Sequence, residues 1–181
     1  MEPRAVIDWE HLAHVVGALG DSGESGGSDL ARHALAEILG PEEVTAAVDF
    51  YVSSGRGAEL ARWVLWLLRP WQAMLRCREI FQTSSDIDAR RSAIELLRVV
   101  ADKRTLTWVP DFLSDPDAAI QQMGAGVVDQ LLWSNLVEAE DCHELLGEMA
   151  RHPNETVRER ADFIRAFLSS REGNAEPSVE D

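Results

Sequence analysis

The stretch LTWVPDFLSDPDAAIQ, from Leu106 to Gln121, joins two helical patterns through an Asp-Pro-Asp turn. Pro116 presets the direction in which the chain leaves the turn, and Asp117 can accept hydrogen bonds from the first N–H groups of the next helix. The start of that helix, Ile120-Gln121-Gln122, has counterparts along the chain. They are Leu30-Ala31-Arg32, Leu60-Ala61-Arg62, Ala89-Arg90-Arg91 and Val157-Arg158-Glu159.

The spacing of these starts indicates the architecture. Their first residues lie at positions 30, 60, 89, 120 and 157, so the chain repeats about every 30 residues, with one longer step at the end. A period of this size is typical of a stacked array in which each unit buries its apolar face against its neighbours. Because the periodic segments have helical spacing, we expect an all-α protein. Specifically, we expect an α-solenoid of about four to five helical pairs, each made of an A helix followed by a B helix.

The array is expected to occupy residues 29–170. Residues 1–19 carry an amphipathic helix pattern, interpreted as a cap or a degenerate repeat, and residues 20–28 are expected to be a flexible Gly/Ser linker. Residues 171–181 are expected to form a disordered acidic tail. Helices are predicted over 5–19, 29–40, from Pro41 to the turn at Ser53, and over 58–69, 71–82, 87–101, 103–114, 117–133, 138–151 and 154–168.

The charge balance limits the classes of partner. With 32 acidic and 17 basic residues, the formal net charge is −15. Such a field repels phosphate backbones and anionic lipid surfaces, and it speeds encounter with basic proteins. The composition therefore favours a basic protein as partner and disfavours binding to nucleic acid or to a membrane. The simpler alternative is that the charge only keeps the protein soluble.

Cysteine usage and hydropathy together indicate the cellular compartment. Cys77 and Cys142 lie inside helical patterns and are expected to be core thiols. No apolar run approaches the roughly 20 residues that span a bilayer, and Asp8 and Glu10 interrupt any signal-peptide pattern at the N-terminus. We therefore expect a cytoplasmic protein.

Residue patterns that would indicate catalysis or cofactor binding are weak. His11 and His14 lie three residues apart without further metal ligands nearby, and Cys142-His143 lacks a second cysteine at ligand spacing. There is no serine elbow, no phosphate-binding glycine loop and no carboxylate pair suited to acid–base work. The sequence thus predicts no enzyme, no catalytic residues, no metal and no cofactor.

The junction at 106–121 resembles HEAT repeats, whose B helix contains a proline and is followed by an Asp-Pro-Asp turn and a Val-Arg pair. Residues 152–161 match the same turn and pair, and residues 86–93 match them with alanine for valine. The resemblance covers about residues 29–168 and implies a right-handed solenoid. In the fourth repeat Ile120-Gln121 replaces Val-Arg, which implies a break in the Asp/Arg ladder between repeats. Small residues at equivalent positions, Ala93, Gly124 and Ala161, are expected to let successive A helices approach closely.

Acidic residues provide the candidate binding surface. Glu140, Glu144 and Glu148 recur at every fourth position of the last B helix and therefore share one face. Asp141 flanks them. On the first B helix, Glu42, Glu43 and Asp49 are predicted to face outward. Since B helices line the concave wall of HEAT-type arrays, these acids are expected to converge in one groove, although a solvated helix face and internal salt bridges remain alternatives.

Tryptophans are the second candidate feature. Trp108 lies off the simplest buried stripe and could be exposed on the inner face as an interface anchor. Trp63, Trp66, Trp71 and Trp133 are interpreted as packing residues between repeats. The run Trp63–Leu68 is apolar almost all round, which predicts a helix buried on both sides.

The combined features favour a non-catalytic protein-binding module. The most specific prediction is an acidic inhibitor of the immunity type that sequesters a basic effector or toxin, since charge complementarity gives fast association. A scaffold or adaptor in a larger complex is one alternative. A HEAT-like bilin lyase or tetrapyrrole chaperone is another, because the resembled family contains such proteins.

Overall fold

A computed structural model describes residues 7–20, 23–24 and 27–174 of the protein. Ten α-helices are present in this part of the chain. They are α1 (Trp9–Val15), α2 (Ser28–Leu39), α3 (Pro41–Val52), α4 (Ala58–Leu68), α5 (Trp71–Thr83), α6 (Ile87–Val100), α7 (Val109–Leu113), α8 (Ala118–Trp133), α9 (His143–Ala150) and α10 (Glu155–Asn174). Two 3₁₀ helices, η1 (Lys103–Trp108) and η2 (Glu140–Cys142), precede α7 and α9. A two-residue antiparallel pairing joins β1 (Leu19–Gly20) to β2 (Gly23–Glu24). The predicted all-α class is confirmed.

The predicted helices from α2 to α6, and α8, agree with the structure to within a residue or two. Four segments differ. The N-terminal helix is shorter than predicted, and the segments 103–114 and 138–151 each begin as a 3₁₀ helix before becoming α-helical. Helix α10 continues to Asn174, so residues 171–174 of the predicted tail are helical. Residues 175–181 lie outside the described part of the chain.

Helices pack in the order in which they occur. Each A helix contacts the next one, along the series α2, α4, α6, α8 and α10. On the other side, the B helix α3 contacts α5, and α7 contacts α9. The core forms two clusters. One is centred on α3 to α6 and includes Leu65, Met74 and Leu97, and the other, around Leu131 and Met149, is centred on α7 to α10.

Polar contacts join neighbouring pairs through the turns. Asp115, a buried carboxylate, forms an ion pair with Arg90 of α6. Where the ladder was expected to break, Gln121 donates to the carbonyl oxygen of Asp115 at 2.7 Å and accepts from Asn154 Nδ2 at 2.8 Å. Neutral hydrogen bonds thus replace the ionic contact at this position and keep the connection between the turns.

Gly124, one of the small residues of the A helices, serves a different contact from the one expected. A Cβ atom added to Gly124 would lie 2.6 Å from the Cβ atom of Phe112 on α7. Gly124 thus admits the B helix of the preceding pair. Close approach between α6 and α8 occurs instead at Gly126, whose added Cβ would lie 2.8 Å from the side chain of Arg98.

Helix α4 corrects the prediction of a helix buried on both sides. Only Leu65 and Leu68 of this helix are buried. The opposite side is exposed to solvent: Leu60 is 69%, Trp63 56% and Leu67 55% exposed. Trp63 packs edge-on against Trp66, which is also exposed, with ring centroids 5.6 Å apart. We call Leu60, Trp63, Val64, Trp66 and Leu67 the α4 face. Trp133 is likewise exposed, and it stacks on Phe167 of α10.

Candidate acidic binding surface

The acids of the fourth pair lie on two elements. Glu140 belongs to η2, whereas Glu144 and Glu148 lie one turn apart on α9. A 3₁₀ helix has three residues per turn, so Glu140 does not continue the α-helical register of the other two. All three side chains are exposed, and none of them has an ion-pair partner among the described residues. The predicted stripe is therefore reduced to Glu144 and Glu148, with Glu140 near the start of the helix.

The acids of the first pair begin α3. Pro41 occupies the first turn, where its missing N–H costs nothing, and Glu42 and Glu43 follow it near the positive end of the helix dipole. Both carboxylates are exposed. Glu42 lines a shallow depression of about 390 Å³ that extends along α3 to Asp49 and across to Gln72 of α5.

Two of the predicted binding acids are engaged inside the protein. Asp49 accepts from Arg76 of α5 at 2.8 Å, and Asp141 pairs with Lys103 of η1 at 2.8 Å. The hydrogen bond from Lys103 lowers the pKa of Asp141, and hydrogen bonds from Arg76 to Asp49 and then Glu79 raise the pKa of Arg76. Both contacts connect neighbouring pairs, so these acids stabilise the stack and are not free for a partner.

The remaining acids form two separate groups. Glu42 and Glu43 lie on the first B helix and Glu144 and Glu148 on the fourth. Helix α3 packs mainly on α4 and α5, and α9 packs mainly on α10, so the two groups lie on helices that are not packing partners. Between them, Arg78 of α5 lies 3.9 Å from Asp111 of α7. The structure thus does not gather the predicted acids into one cluster.

Trp108 is not an exposed anchor. It is only 4% exposed, and its ring lies 5.4 Å from that of Trp71, with the Arg78 guanidinium 4.6 Å from its centroid. The reason is local geometry. In the 3₁₀ helix η1, residues three apart face the same way, so Trp108 is buried together with Thr105.

The α4 face is the surface that sequence reasoning missed. Its apolar pattern was visible, but a helix that is apolar all round is ordinarily covered by a further layer of protein. Here the described residues cover only one side of α4. An exposed patch that contains two tryptophans is larger than the scattered apolar residues normal on a monomer surface.

Two further observations concern the described residues as a whole. None of their helices is long and apolar enough to cross a membrane. Within the same ranges, no three His, Cys, Asp or Glu side chains are grouped so as to hold a metal ion. No protein-family model, curated protein or solved structure matches the chain.

Proposed function

We propose that the protein is a non-catalytic binding module, built as a right-handed HEAT-like α-solenoid, that binds a basic protein through its exposed acids. The most specific form of this proposal is a cytoplasmic inhibitor of the immunity type that sequesters a basic effector. Its main support is the pair Glu144 and Glu148, which are exposed, one turn apart and without ion-pair partners among the described residues.

Free carboxylates suit recognition better than paired ones. A basic partner that contacts Asp49 or Asp141 must compete with Arg76 or Lys103. Contact with Glu144 and Glu148 breaks no internal ion pair, so the whole electrostatic attraction is available for binding. The net charge of −15 adds long-range steering, which raises association rates more than it raises affinity.

The separation of the acidic groups predicts the size of the partner. A small basic peptide can reach only one group, whereas a folded basic protein can contact Glu42 and Glu43 on α3 together with Glu144 and Glu148 on α9. Such an interface would cross all the B helices, in line with the roughly 800 Å² per partner of a standard protein–protein contact.

The test compares two double variants with equal change of charge. Glu144→Lys/Glu148→Lys alters α9, and the control Glu155→Lys/Glu159→Lys alters exposed acids at the same spacing on α10. Partners are captured with the wild-type chain and identified by mass spectrometry, and association rates are then measured between 25 and 200 mM salt. We expect the α9 variant to associate at least tenfold more slowly at low salt, and the control to change much less. Equal rates for wild type and the α9 variant would falsify the proposal.

The α4 face favours the scaffold as a second candidate. An exposed apolar face on α4, which is not one of the helices that carry the candidate acids, would let one molecule hold two proteins at once. Trp63→Ser/Leu67→Ser should then remove one protein from the captured complex and leave the basic partner bound. Retention of every component by this variant contradicts the scaffold.

A further inference from the structure

A groove runs along one edge of the stack, where each A helix turns into its B helix. Four successive turns contribute to it: Gly40, the Arg69–Pro70 turn, the segment 102–104, and Leu136. Helix α2 closes the side with Arg32, His33 and Glu37. The cavity measures about 840 Å³, within the range of small-molecule sites. We call it the edge groove.

Cations are concentrated there although the protein is acidic. Four of the 17 lysine and arginine residues line the edge groove, against three acids, namely Asp29, Glu37 and Asp102. Three of the four cations have an acid partner. The pairs are Arg32 with Asp29, Arg104 with Asp102, and Lys103 with Asp141.

Arg69 differs from the other three. Its guanidinium has no hydrogen bond, ion pair or ring contact with any described residue, although the side chain is half-buried. Burial lowers the pKa of Arg69, nearby Arg32 lowers it further, and Asp29 and Asp102 offset part of this at longer range. Glu37 is not among the charges that perturb it. One positive charge in the groove is thus left without a direct partner.

The backbone at Arg69 is also unusual. Its φ of 46° and ψ of 50° place it in the left-handed region, which non-glycine residues adopt at a cost. Glycine would meet this requirement at the end of α4 more easily. An arginine at this position therefore sacrifices backbone stability while placing a guanidinium in the groove.

Helix α5 strengthens the positive potential beside Arg69. It begins at Trp71, is 13 residues long, and has neither a side-chain cap nor an acid in its first turn. The positive end of its dipole consequently remains uncompensated at the groove. By contrast, α3 begins at the same edge with Glu42 and Glu43 in its first turn.

The remaining lining restricts the ligand further. Pro41, Leu68, Pro70 and Leu136 give the groove an apolar wall. Trp71 is already engaged within the protein, because the Arg104 guanidinium lies 4.0 Å from its ring centroid and the Trp108 ring lies 5.4 Å away. A single uncompensated cation matches a monoanion better than a phosphate dianion, and a polyanion would meet the net charge of −15.

We propose that the edge groove binds a small amphiphilic monocarboxylate, whose carboxylate accepts hydrogen bonds from the Arg69 guanidinium while its apolar body lies against Pro41, Leu68 and Leu136. The planar guanidinium can hold both carboxylate oxygens at once. This site is distinct from the acidic surface on α9 and would carry a separate activity, the capture of an organic acid.

The test uses decanoate as the probe, below its micelle concentration, and measures binding to the full chain by calorimetry. Decanol has the same apolar body without the charge and serves as the ligand control. Arg69→Gln removes the cation, and Arg56→Gln is the matched protein control, because Arg56 is an exposed turn arginine without a partner among the described residues. Arg69→Gly provides a second variant that relieves the backbone and so keeps the fold.

We expect wild type and Arg56→Gln to bind decanoate equally. Both Arg69 variants should bind it about ten- to a hundredfold more weakly, as loss of a hydrogen bond to a charged group implies. Decanol should bind wild type as weakly as decanoate binds Arg69→Gln. Three results would overturn the proposal. The first is no decanoate binding by wild type, and the second is binding by the Arg69 variants as tight as that by wild type. The third is a loss of binding in Trp63→Ser/Leu67→Ser, which would place the probe on the α4 face.

Discussion

Arg91 and Asp117 join the third and fourth helical pairs through two contacts. Arg91 Nη2 donates to Asp117 Oδ2 at 2.6 Å, and Nε donates to Oδ1 at 3.2 Å. The same carboxylate caps α8 by accepting from the N–H groups of Ala119 and Ile120, each at 3.1 Å. One side chain thus caps the start of a helix and attaches that helix to the preceding helical pair.

The contact between Arg91 and Asp117 predicts that the stability of the protein depends on pH. The hydrogen bond from Arg91, followed by the backbone donors of α8, lowers the pKa of Asp117 below its ordinary value. Because the pKa is lower in the folded state, the carboxylate stabilises the protein above about pH 4, and that contribution is lost as the pH falls through the folded value. Asp117→Asn keeps a capping residue and removes the charge.

We expect Asp117→Asn to melt about 2–4 °C below wild type at pH 7, and this difference in melting temperature to shrink as the pH falls below about 4. Thermal unfolding followed by circular dichroism at pH 7, 5, 3.5 and 2.5 measures this. A difference that stays constant over the whole range contradicts the assignment.

Two glycines in helices predict opposite effects of the same substitution. Gly124→Ala places a Cβ atom against Phe112 and should destabilise the protein by about 1–3 kcal/mol. Gly147→Ala meets only the end of the Arg151 side chain, at 3.8 Å, and should stabilise it by about 0.5–1 kcal/mol through helix propensity. Urea unfolding measures both, and a Gly124→Ala variant at least as stable as wild type would contradict the close approach of α7 to α8.

Two leucines on different A helices test which helix faces are buried and which are exposed. Leu97 of α6 is fully buried, so Leu97→Ala should cost about 2–5 kcal/mol. Leu60 lies on the α4 face, and Leu60→Ala should change the free energy of unfolding by less than about 0.5 kcal/mol. A large loss at Leu60 in dilute solution would mean that another surface covers α4.

The two cysteines should be unreactive in the native protein. Burial raises the pKa of the Cys77 thiol strongly and that of Cys142 to about 11, so both are protonated at neutral pH. Since the thiolate is the nucleophile, a disulfide reagent such as Ellman's should react with neither until the protein unfolds, and with both in guanidinium. Rapid labelling of the native protein at pH 7 would contradict the burial of these helices.

Periodicity predicted the helices well because burial on one face repeats every 3.6 residues. Helix α6 is the clearest case, since the predicted segment 87–101 is helical from Ile87 to Val100 and buries Ala93, Ile94 and Leu97 on one face. A single sequence does not distinguish a turn of 3₁₀ helix from a turn of α-helix. For this reason the predicted orientations of Trp108 and Glu140 differ from those in the structure. The α4 face was misinterpreted for another reason: apolarity shows that a helix can be covered, but only the packing shows whether it is. A local sequence pattern likewise cannot predict that Asp49 and Asp141 pair with cations from other helical pairs.

The stacking of Trp71 on Trp108 gives the protein two optical populations of indole. Trp108, enclosed between Trp71 and Arg78, should emit at shorter wavelength and resist collisional quenching by acrylamide, whereas Trp9, Trp63, Trp66 and Trp133 are open to the quencher. Blue-edge emission will therefore report the junction between α5 and η1. Loss of that component during unfolding would show, without any label, when this junction opens.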